Sequence, residues 1–347
     1  MNYSSTYLDD LSSVQSACVN LEKLKNTTVL VTGSTGLVCS AVVDFLLNYN
    51  DTCGAGINVY VAARSIEKAK ERFVLYDGRP DIIFVEYDAL NSIDWTFDVD
   101  YIIHGASPAN PALYVKQPVE TMLANFIGLN NILDYSLKHN CKRVLFVSSS
   151  EVYGKKDNAN PYMTEEYGYV DVLNARSCYP SAKRACETLC VSYMSEFKVD
   201  SVIVRLGHIY GPTATRSDVR ASSQFFYDVL DGHDIVMKSS GAQLRSYCYV
   251  ADCVSAIISV LINGESCVAY NISNPDSVVT IRQLAEGIAK CAHMNLQFEP
   301  PTDEERKGYN LMENSSLDSS LLCELGWTGQ YDLKTGVQHT LDILRGL

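Results

Sequence analysis

Three residues have the types and spacing of a proton-transfer site: Ser149, Tyr179 and Lys183. Tyr179 and Lys183 are four residues apart in a helical pattern, which places the phenol and the ammonium on the same face of a helix. Because a nearby ammonium favours the phenolate, Lys183 should lower the pKa of Tyr179. Tyr179 would then be a base for a substrate hydroxyl near neutral pH, which points to hydride chemistry at that carbon.

A glycine-rich turn opens the first strand–helix unit of the chain. Strand Thr28–Thr32 runs directly into it, and glycines there let the backbone approach a pyrophosphate at a helix N-terminus. Cys39 stands where a third small residue often permits close helix–strand packing. The predicted cofactor is NAD, and the predicted residues of this turn are Gly33, Thr35, Gly36 and Leu37.

The residues after the second and third strands bear on the form of the cofactor. No acidic residue follows the second strand to hold the adenosine ribose of NAD, and Arg64 stands there instead. Arg64 could meet the 2′-phosphate of NADP, stack on adenine or face solvent, so NADP stays open beside NAD. Asp88 is a candidate for the adenine side of the cofactor and equally for capping a helix.

Apolar, β-rich runs alternate with helical patterns over the first two thirds of the chain. The predicted strands are Thr28–Thr32, Ile57–Ala62, Ile82–Val85, Tyr101–His104, Arg143–Ser148 and Val202–Leu206. The predicted helices are Leu37–Tyr49, Glu67–Val74, Val119–His139 and Tyr179–Phe197. This alternation predicts an α/β fold with a doubly wound parallel (Rossmann) sheet that is covered on both faces.

After Gly211-Pro212 the elements become shorter, which predicts a smaller mixed α/β C-terminal substrate lobe. The shorter elements are helices Ser222–Leu230, Asp252–Ile262 and Ile281–Cys291, a strand Ser246–Val250 and a loop Glu299–Lys307. The predicted division is a helical extension at 1–25, a dinucleotide-binding domain at 26–207 and 247–272, and a nucleotide-sugar lobe at 208–246 and 273–347. The extension carries one apolar stripe: Leu8, Leu11, Val14, Ala17, Cys18, Leu21 and Leu24.

Composition excludes several classes of partner. The 347 residues carry a net charge of -13, which argues against nucleic acid and anionic membranes and means that an anionic substrate needs a local basic pocket. The 12 cysteines form no Cys-x-x-Cys pair, which favours reduced thiols, and no metal site is predicted. Residues 1–20 lack a basic signal-peptide start, and no apolar run approaches the roughly 20 residues of a membrane span. A cytoplasmic location is expected.

Further motifs follow in order along the chain. They are Ser148–Gly154, Tyr179–Lys183, Arg205, Tyr210-Gly211-Pro212, Arg245–Asp252 and Leu325-Gly326-Trp327. With the glycine-rich turn, this set resembles the extended short-chain dehydrogenase/reductase family, in particular its NAD-dependent epimerase/dehydratase group acting on nucleotide sugars. The resemblance implies that Tyr179 deprotonates the sugar C4 hydroxyl while NAD takes the hydride. It also implies that Lys183 binds the nicotinamide ribose and that Ser149 hydrogen-bonds the same hydroxyl.

A 4-keto sugar can be reduced from the other face, lose water across C5–C6, or lose CO₂ if C6 is a carboxylate. Dehydratases of this family place an Asp and a Glu after the Ser or Thr, whereas this chain has Ser150 and Glu151. The Ser-Glu arrangement and the position of Arg245 resemble UDP-glucuronate decarboxylases. The catalytic set is therefore predicted to be Ser149, Glu151, Tyr179, Lys183 and Arg245.

The segment after the fourth strand, Ala106–Tyr114, also resembles the decarboxylases, which have a similar Ser-Pro-Ala-x-Pro-x-x-Tyr run. Ala106 is assigned to the cofactor, Ser107 and Pro108 to the substrate, and Tyr114 would face the sugar carboxylate. A structural proline-rich turn is the alternative for this segment.

One position departs from the decarboxylases: His208 stands where they have an Asn that touches the substrate. Arg220 and Arg245 are the candidate diphosphate clamps, and the resemblance makes Arg245 a proposed proton donor to C5 as well. Either arginine could instead form a simple surface ion pair.

The leading hypothesis is NAD-dependent decarboxylation of UDP-glucuronate through a 4-keto intermediate. The alternatives are a nucleotide-sugar 4-epimerase, then a 4,6-dehydratase, and, from another class, a non-catalytic dinucleotide-binding protein. By analogy with the family, the long helices at Val119–His139 and Tyr179–Phe197 predict a homodimer.

Overall fold

The computed structural model describes residues 3–109, 111–302 and 312–347. Its strands are β1 Thr28–Thr32, β2 Asn58–Ala63, β3 Ile82–Glu86, β4 Tyr101–His104, β5 Arg143–Ser149, β6 Ser201–Leu206, β7 His208–Tyr210, β8 Ile235–Met237, β9 Leu244–Tyr249, β10 Ala269–Ile272, β11 Val278–Thr280, β12 Leu296–Phe298 and β13 Asn314–Ser315. The central sheet has seven parallel strands in the order β10-β6-β5-β4-β1-β2-β3.

Helices cover both faces of this sheet. They are α1 Ser5–Ala17, α2 Leu37–Cys53, α3 Ile66–Arg72, α4 Pro111–Lys116, α5 Pro118–Lys138, α6 Cys178–Phe197, α7 Ala221–Leu230, α8 Val250–Asn263, α9 Ile281–Ala292, α10 Ser320–Cys323 and α11 Leu333–Arg345. Short 3₁₀ turns lie between several of them, including one at Ser150–Tyr153. The doubly wound parallel sheet predicted from the sequence is confirmed.

The apolar strands divide their side chains between two cores because successive residues point to opposite faces. In β1, Val29 and Val31 join the core under α2 and α8, whereas Leu30 joins the core under α5 and α6. All three are fully buried. A strand that is buried on both faces has no polar side, so β1 reads as a continuous apolar run.

Beyond β6 the chain builds two smaller sheets. Strand β9 pairs with β7, β11 and β13, and β8 pairs with β12. Helix α8 and strand β10 then return to the central sheet. The domain boundaries predicted from the sequence stay a prediction.

Strands β1 and β4 have the same bounds as predicted, and the other predicted strands and helices differ by a few residues at their ends. One part of the apolar stripe was wrong: Leu8 is 44% exposed, and Tyr7 and Asp10 are buried in its place. Part of the predicted loop at Glu299–Lys307, residues 303–307, lies outside the described residues, as does Asn110 of the segment after β4.

Buried charges fasten α1 to the central sheet's helices. The Asp44 carboxylate on α2 accepts hydrogen bonds from the hydroxyls of Tyr3 (2.6 Å) and Tyr7 (2.7 Å) and pairs with Arg72 on α3. Asp10 accepts a hydrogen bond from Tyr249 at 2.5 Å. These contacts compensate the burial of two carboxylates, so the N-terminal helix is an integral layer of the fold.

Within the described ranges, no helix combines the length and the apolar character needed to cross a membrane. The same part of the chain holds no cluster of three or more His, Cys, Asp or Glu side chains placed to hold a metal ion. All 12 cysteines are free thiols.

Candidate active site

The structure brings Ser149, Tyr179 and Lys183 together at the carboxyl edge of the central sheet. Ser149 is the last residue of β5, and Tyr179 and Lys183 occupy the first two turns of α6. The Ser149 hydroxyl is close enough to Tyr179 to lower the pKa of the phenol, and the Lys183 ammonium lies 5.8 Å from the centre of the Tyr179 ring. This is the cluster that the spacing in the sequence predicted.

The predicted lowering of the Tyr179 pKa by Lys183 is wrong for the protein groups alone. Burial raises the pKa of Tyr179 to about 12, with a further increase from the charge of Glu151 and decreases from hydrogen bonds to Ser149 and Tyr114. The Lys183 ammonium donates to the carbonyl of Val147 at 2.8 Å, and burial lowers its own pKa to about 8. Lys183 is therefore held by the backbone of β5 rather than by the phenol.

Tyr114 packs directly on Tyr179. The rings of Tyr114 and Tyr179 stack with centroids 4.4 Å apart and planes 9° apart, and both side chains are buried. Tyr114 belongs to α4, which begins at Pro111, within the proline-rich segment that follows β4. The segment thus places an aromatic ring over one face of Tyr179. That Tyr114 faces a sugar carboxylate stays a prediction.

Glu151 lies in the 3₁₀ turn after β5 and forms a bidentate ion pair that the sequence reasoning missed. Its two carboxylate oxygens accept hydrogen bonds from Nη1 and Nη2 of Arg176 at 2.6 and 2.9 Å. The Glu151 backbone N–H donates to the Ser149 hydroxyl at 3.2 Å, which fixes the turn. A signal was present in the sequence, because Arg176 is the only Lys or Arg between Lys156 and Lys183.

Arg245 and His208 lie near each other on the paired strands β9 and β7, where His208 is opposite Tyr247, two residues after Arg245. Arg245 is 3% exposed, and within the described residues it donates to the carbonyls of Leu244 (2.9 Å) and Glu313 (3.5 Å) and forms no ion pair, although the charge of Glu151 acts on it. Burial and the charges of Arg245 and Arg220 lower the pKa of His208 to about 3, which keeps the imidazole neutral. Its Nδ1 is buried without a hydrogen-bond partner among the described atoms. A buried cation beside an unpaired imidazole nitrogen suits an anionic, hydrogen-bonding ligand.

Arg220 is less free than predicted. Its guanidinium makes a close ion pair with Asp218, two residues earlier, so the alternative of a local ion pair is present in the structure. Its charge still lies near Tyr179 and lowers the pKa of that phenol. A diphosphate would have to share Arg220 with Asp218.

The glycine-rich turn fits a pyrophosphate. Gly36 is the N-cap residue of α2 and has no side chain that could accept a hydrogen bond from the first backbone amides of the helix. The first turn also holds no acidic residue, so these amides remain available to an anion. Gly33 has φ +67°, and a Cβ there would lie 2.7 to 2.8 Å from the backbone of Gly105 and Ala106. Only glycine allows this approach. Thr35 and Leu37 complete the same turn, and these residues would hold the pyrophosphate of NAD.

Contacts of Thr32 and His104, which the sequence did not indicate, hold the glycine-rich turn against the loop after β4. The hydroxyl of Thr32 lies 2.8 Å from Nδ1 of His104 and accepts a hydrogen bond from the Ala106 backbone at 3.2 Å. Cys39 packs so closely on Gly105 that a Cβ at Gly105 would lie 2.3 Å from its sulfur. Cys39 therefore serves as the small residue that permits close packing of α2 on the sheet.

The other predicted residues lie around this centre. The Ser107 hydroxyl donates to Asn125 at 2.9 Å, and Pro108 follows it as a half-buried residue. Arg64 is exposed after β2, and Asp88 accepts a hydrogen bond from the backbone of Leu90 in a turn after β3. The described residues 87–100, between β3 and β4, form no helix, so the alternative of a helix cap at Asp88 is wrong. Arg64 and Asp88 thus sit on the far side of β1 from Tyr179, where the adenosine half of a dinucleotide would lie.

A substitution at Gly33 tests the cofactor turn. Gly33→Ala adds left-handed strain and a backbone clash, so we expect a loss of about 2 to 4 kcal/mol in the free energy of unfolding and loss of NAD binding. The matched control is Gly54→Ala, since Gly54 also has a positive φ (+57°) but open space around it. It should cost about 1 kcal/mol. Urea unfolding measures the free energy of unfolding of each variant, and titration measures its affinity for NAD. Equal losses of stability in the two variants would contradict the predicted backbone clash at Gly33.

Comparison with known proteins agrees with this geometry. The model of the NAD dependent epimerase/dehydratase family matches residues 29–273. The chain belongs to this family. The family assigned from the sequence is confirmed, and NAD is the cofactor that its glycine-rich turn serves.

Among curated relatives of this epimerase/dehydratase chain are UDP-glucuronic acid decarboxylase 3 of Arabidopsis thaliana (29% identical, covering 90% of this chain and 87% of the relative) and UDP-glucuronic acid decarboxylase 1 of Danio rerio (28%, 90% and 71%). A dTDP-glucose 4,6-dehydratase from Streptomyces venezuelae superimposes with a TM-score of 0.79 at 23% identity, covering 92% of this chain and 97% of the other. A UDP-glucuronic acid 4-epimerase from Bacillus cereus gives 0.75 at 19% identity, covering 92% and 99%. At such identities the structural neighbours establish the fold alone.

Proposed function

We propose that this protein decarboxylates UDP-glucuronate through a 4-keto intermediate, with NAD as the hydride carrier. The observation that carries the proposal is the closeness of Glu151 to Tyr179, beside a buried Arg245 that forms no ion pair within the described residues. The curated decarboxylases, similar over about nine tenths of the chain, support the same reaction. Ser150, where dehydratases of this family have an acid, speaks against loss of water.

Oxidation at C4 is the first step of the proposal. NAD, when bound, supplies the hydride acceptor for this carbon. Tyr179 takes the proton of the C4 hydroxyl, Ser149 hydrogen-bonds the same oxygen, and Lys183 holds the nicotinamide ribose. The product is a C4 ketone, which makes the sugar a β-keto acid.

Loss of CO₂ follows from that ketone. The C5–C6 bond breaks, and its electron pair forms an enolate whose oxygen at C4 receives hydrogen bonds from Tyr179 and Ser149. Arg245 then donates a proton to C5. Burial lowers the pKa of the Arg245 guanidinium, which makes this donation easier.

The remaining contacts of the proposal concern substrate binding. Ser107, Pro108, Tyr114 and His208 line the sugar, and Arg220 and Arg245 meet the diphosphate. Residues 208–246 and 273–347 form the lobe that holds the nucleotide sugar, and 26–207 with 247–272 hold NAD. These assignments rest on the arrangement around Tyr179 and on the family resemblance.

Incubation with UDP-glucuronate and NAD tests the proposal. We expect released CO₂ together with UDP-xylose, if the hydride is returned to C4, or with a 4-keto pentose and one equivalent of NADH, if it is not. Mass spectrometry of the nucleotide fraction distinguishes the two products. UDP-galacturonate without CO₂ would instead identify a 4-epimerase. Tight NAD binding with no consumption of any sugar nucleotide would favour the non-catalytic alternative and overturn the enzyme assignment.

We also propose a homodimer through α5 and α6. Val119, Met122, Leu123 and Phe126 are spaced for one face of α5 and are 41–69% exposed, which leaves an apolar stripe in contact with water. A second copy, related by a two-fold axis, would cover this stripe. The free thiols of all 12 cysteines support the further proposal of a reducing, cytoplasmic location.

A charge on this stripe should prevent dimerisation. Phe126→Asp places a carboxylate in the proposed interface, so we expect the mass measured by light scattering after gel filtration to fall to that of one chain. Leu173→Asp is the matched control, because Leu173 is 94% exposed on another segment and should leave the mass unchanged. A wild-type protein that is already monomeric would reject the interface.

A further inference from the structure

Arg176 lies between the two side chains that flank the catalytic tyrosine. Its guanidinium pairs in bidentate fashion with Glu151 and lies 5.5 Å from the centre of the Tyr114 ring, which itself stacks on Tyr179. The side chains of Arg176 and Glu151 are 17% and 18% exposed, so their charges interact with little screening. Arg176 thus connects the acid, the aromatic ring and the base of the site.

One of the three guanidinium nitrogens of Arg176, Nε, has no hydrogen-bond partner among the described atoms. A guanidinium has five N–H groups in a fixed fork, and the pair with Glu151 engages Nη1 and Nη2. The Nε of Arg176 is also buried. Because a buried N–H without a partner is costly, this donor is available to a ligand oxygen.

A sugar carboxylate would create an electrostatic conflict in this site. On the proposed reaction, C6 must come close to Tyr179, and the charge of Glu151 already reaches that phenol. Two carboxylates at short range repel strongly when they are partly buried. The positive charge of Arg176 offsets one of them, whereas a neutral sugar would need no such compensation.

We propose that Arg176 is a positioning and specificity-determining residue that lets Glu151 and the carboxylate of a uronate sugar occupy the site together. It fixes Glu151 through two hydrogen bonds and offsets part of the Glu151 charge toward the incoming anion. The inference rests on the proposed function, since it takes a uronate nucleotide as the substrate. It predicts that Arg176 selects acidic over neutral sugars and contributes little to the binding of UDP itself.

Binding measurements in a Tyr179→Phe background, with NAD bound, test this without turnover. Adding Arg176→Gln should raise the Kd of UDP-glucuronate by at least about 30-fold and that of UDP-xylose, which lacks the carboxylate, by less than about threefold. Adding Glu151→Gln to the Arg176→Gln protein should restore most of the affinity for UDP-glucuronate, because the repelling charge is gone. A merely structural role of Arg176 would not give this recovery.

The matched control is Arg216→Gln, which breaks another bidentate pair, with Asp231 at 2.8 and 3.0 Å, on the exposed surface. It should change neither Kd. Equal weakening of both nucleotides by Arg176→Gln, or no recovery with Glu151→Gln, would overturn the inference. If Arg176→Gln does not fold, Arg176→Lys keeps the charge without the fork and should show a smaller loss confined to UDP-glucuronate, and no selective loss there would equally overturn it.

The two proposals fail separately. CO₂ release by the wild type without a selective binding loss in the Arg176 variants would reject the role of Arg176 and leave the reaction standing. A wild type that releases no CO₂ but binds UDP-glucuronate in an Arg176-dependent way would reject the reaction and keep the selectivity.

Discussion

Replacing Tyr179 by phenylalanine should lower the turnover of UDP-glucuronate by about 10²- to 10⁴-fold, the range typical of a lost general base. The aromatic ring remains and can still stack on Tyr114, so the variant should fold and bind NAD as the wild type does. No other described hydroxyl in the site combines a hydrogen bond to Ser149 with a position one helical turn from Lys183. Steady-state CO₂ release and NAD titration measure the two effects.

Tyr193→Phe is the control for this experiment. Tyr193 lies on the same helix and loses only a hydrogen bond to Asn130 (3.1 Å), so turnover should stay close to that of the wild type. Unchanged turnover in the Tyr179→Phe protein would reject the assigned base.

Replacing Glu151 by glutamine should stop decarboxylation but spare oxidation at C4. The negative charge of Glu151 beside the sugar carboxylate favours loss of that carboxylate as neutral CO₂, and glutamine keeps the size without the charge. We expect CO₂ release to fall by at least about 100-fold while NADH absorbance builds up in the presence of UDP-glucuronate. The wild type should instead release CO₂, and it should regenerate NAD to the extent that its product is UDP-xylose rather than the 4-keto pentose.

The same variant should shift the pH dependence of the oxidation step. The charge of Glu151 raises the pKa of Tyr179, so its removal lowers that pKa. The phenolate is the active base, so the rate of NADH formation increases as the pH rises through the pKa of Tyr179. In the Glu151→Gln protein this increase should occur at a lower pH than in the wild type. Stopped-flow absorbance across a pH series gives both profiles.

Glu165→Gln provides the control, since Glu165 is an exposed carboxylate of the loop before α6. It should change neither CO₂ release nor the pH profile. Normal CO₂ release by the Glu151→Gln protein would remove the main argument for a decarboxylase and reopen the 4-epimerase alternative.

The arrangement explains how an acidic chain can bind an acidic nucleotide. The net charge of -13 repels anions at long range, yet Arg176, Arg220 and Arg245 lie within one site. Two of these arginines are paired with Glu151 and Asp218, and Arg245 has only carbonyl partners among the described residues. Arg245 is therefore the strongest local attractor for a phosphate or carboxylate.

Local features of the sequence determined the fold and the core of the site. Strands β1 and β4 were predicted to the residue because a strand buried on both faces is a continuous apolar run bounded by turn residues. Tyr179 and Lys183 share a helix face through their spacing alone, and the glycine-rich turn is readable because left-handed backbone favours glycine. Such signals depend on neighbours in the chain, so one sequence suffices to find them.

Only the tertiary structure decided how the charges are distributed. Burial, and not Lys183, sets the pKa of Tyr179, because the ammonium is drawn to the Val147 carbonyl of a strand more than thirty residues earlier. Arg176 forms an ion pair with Glu151, and Arg220 forms one with Asp218. The ring of Tyr114 stacks on that of Tyr179. Most of these partners come from separate elements that meet only after the sheet and its loops have packed, and desolvation depends on everything around a group. Spacing along the chain therefore identifies the chemical groups, whereas their protonation and partners are set by the packed environment.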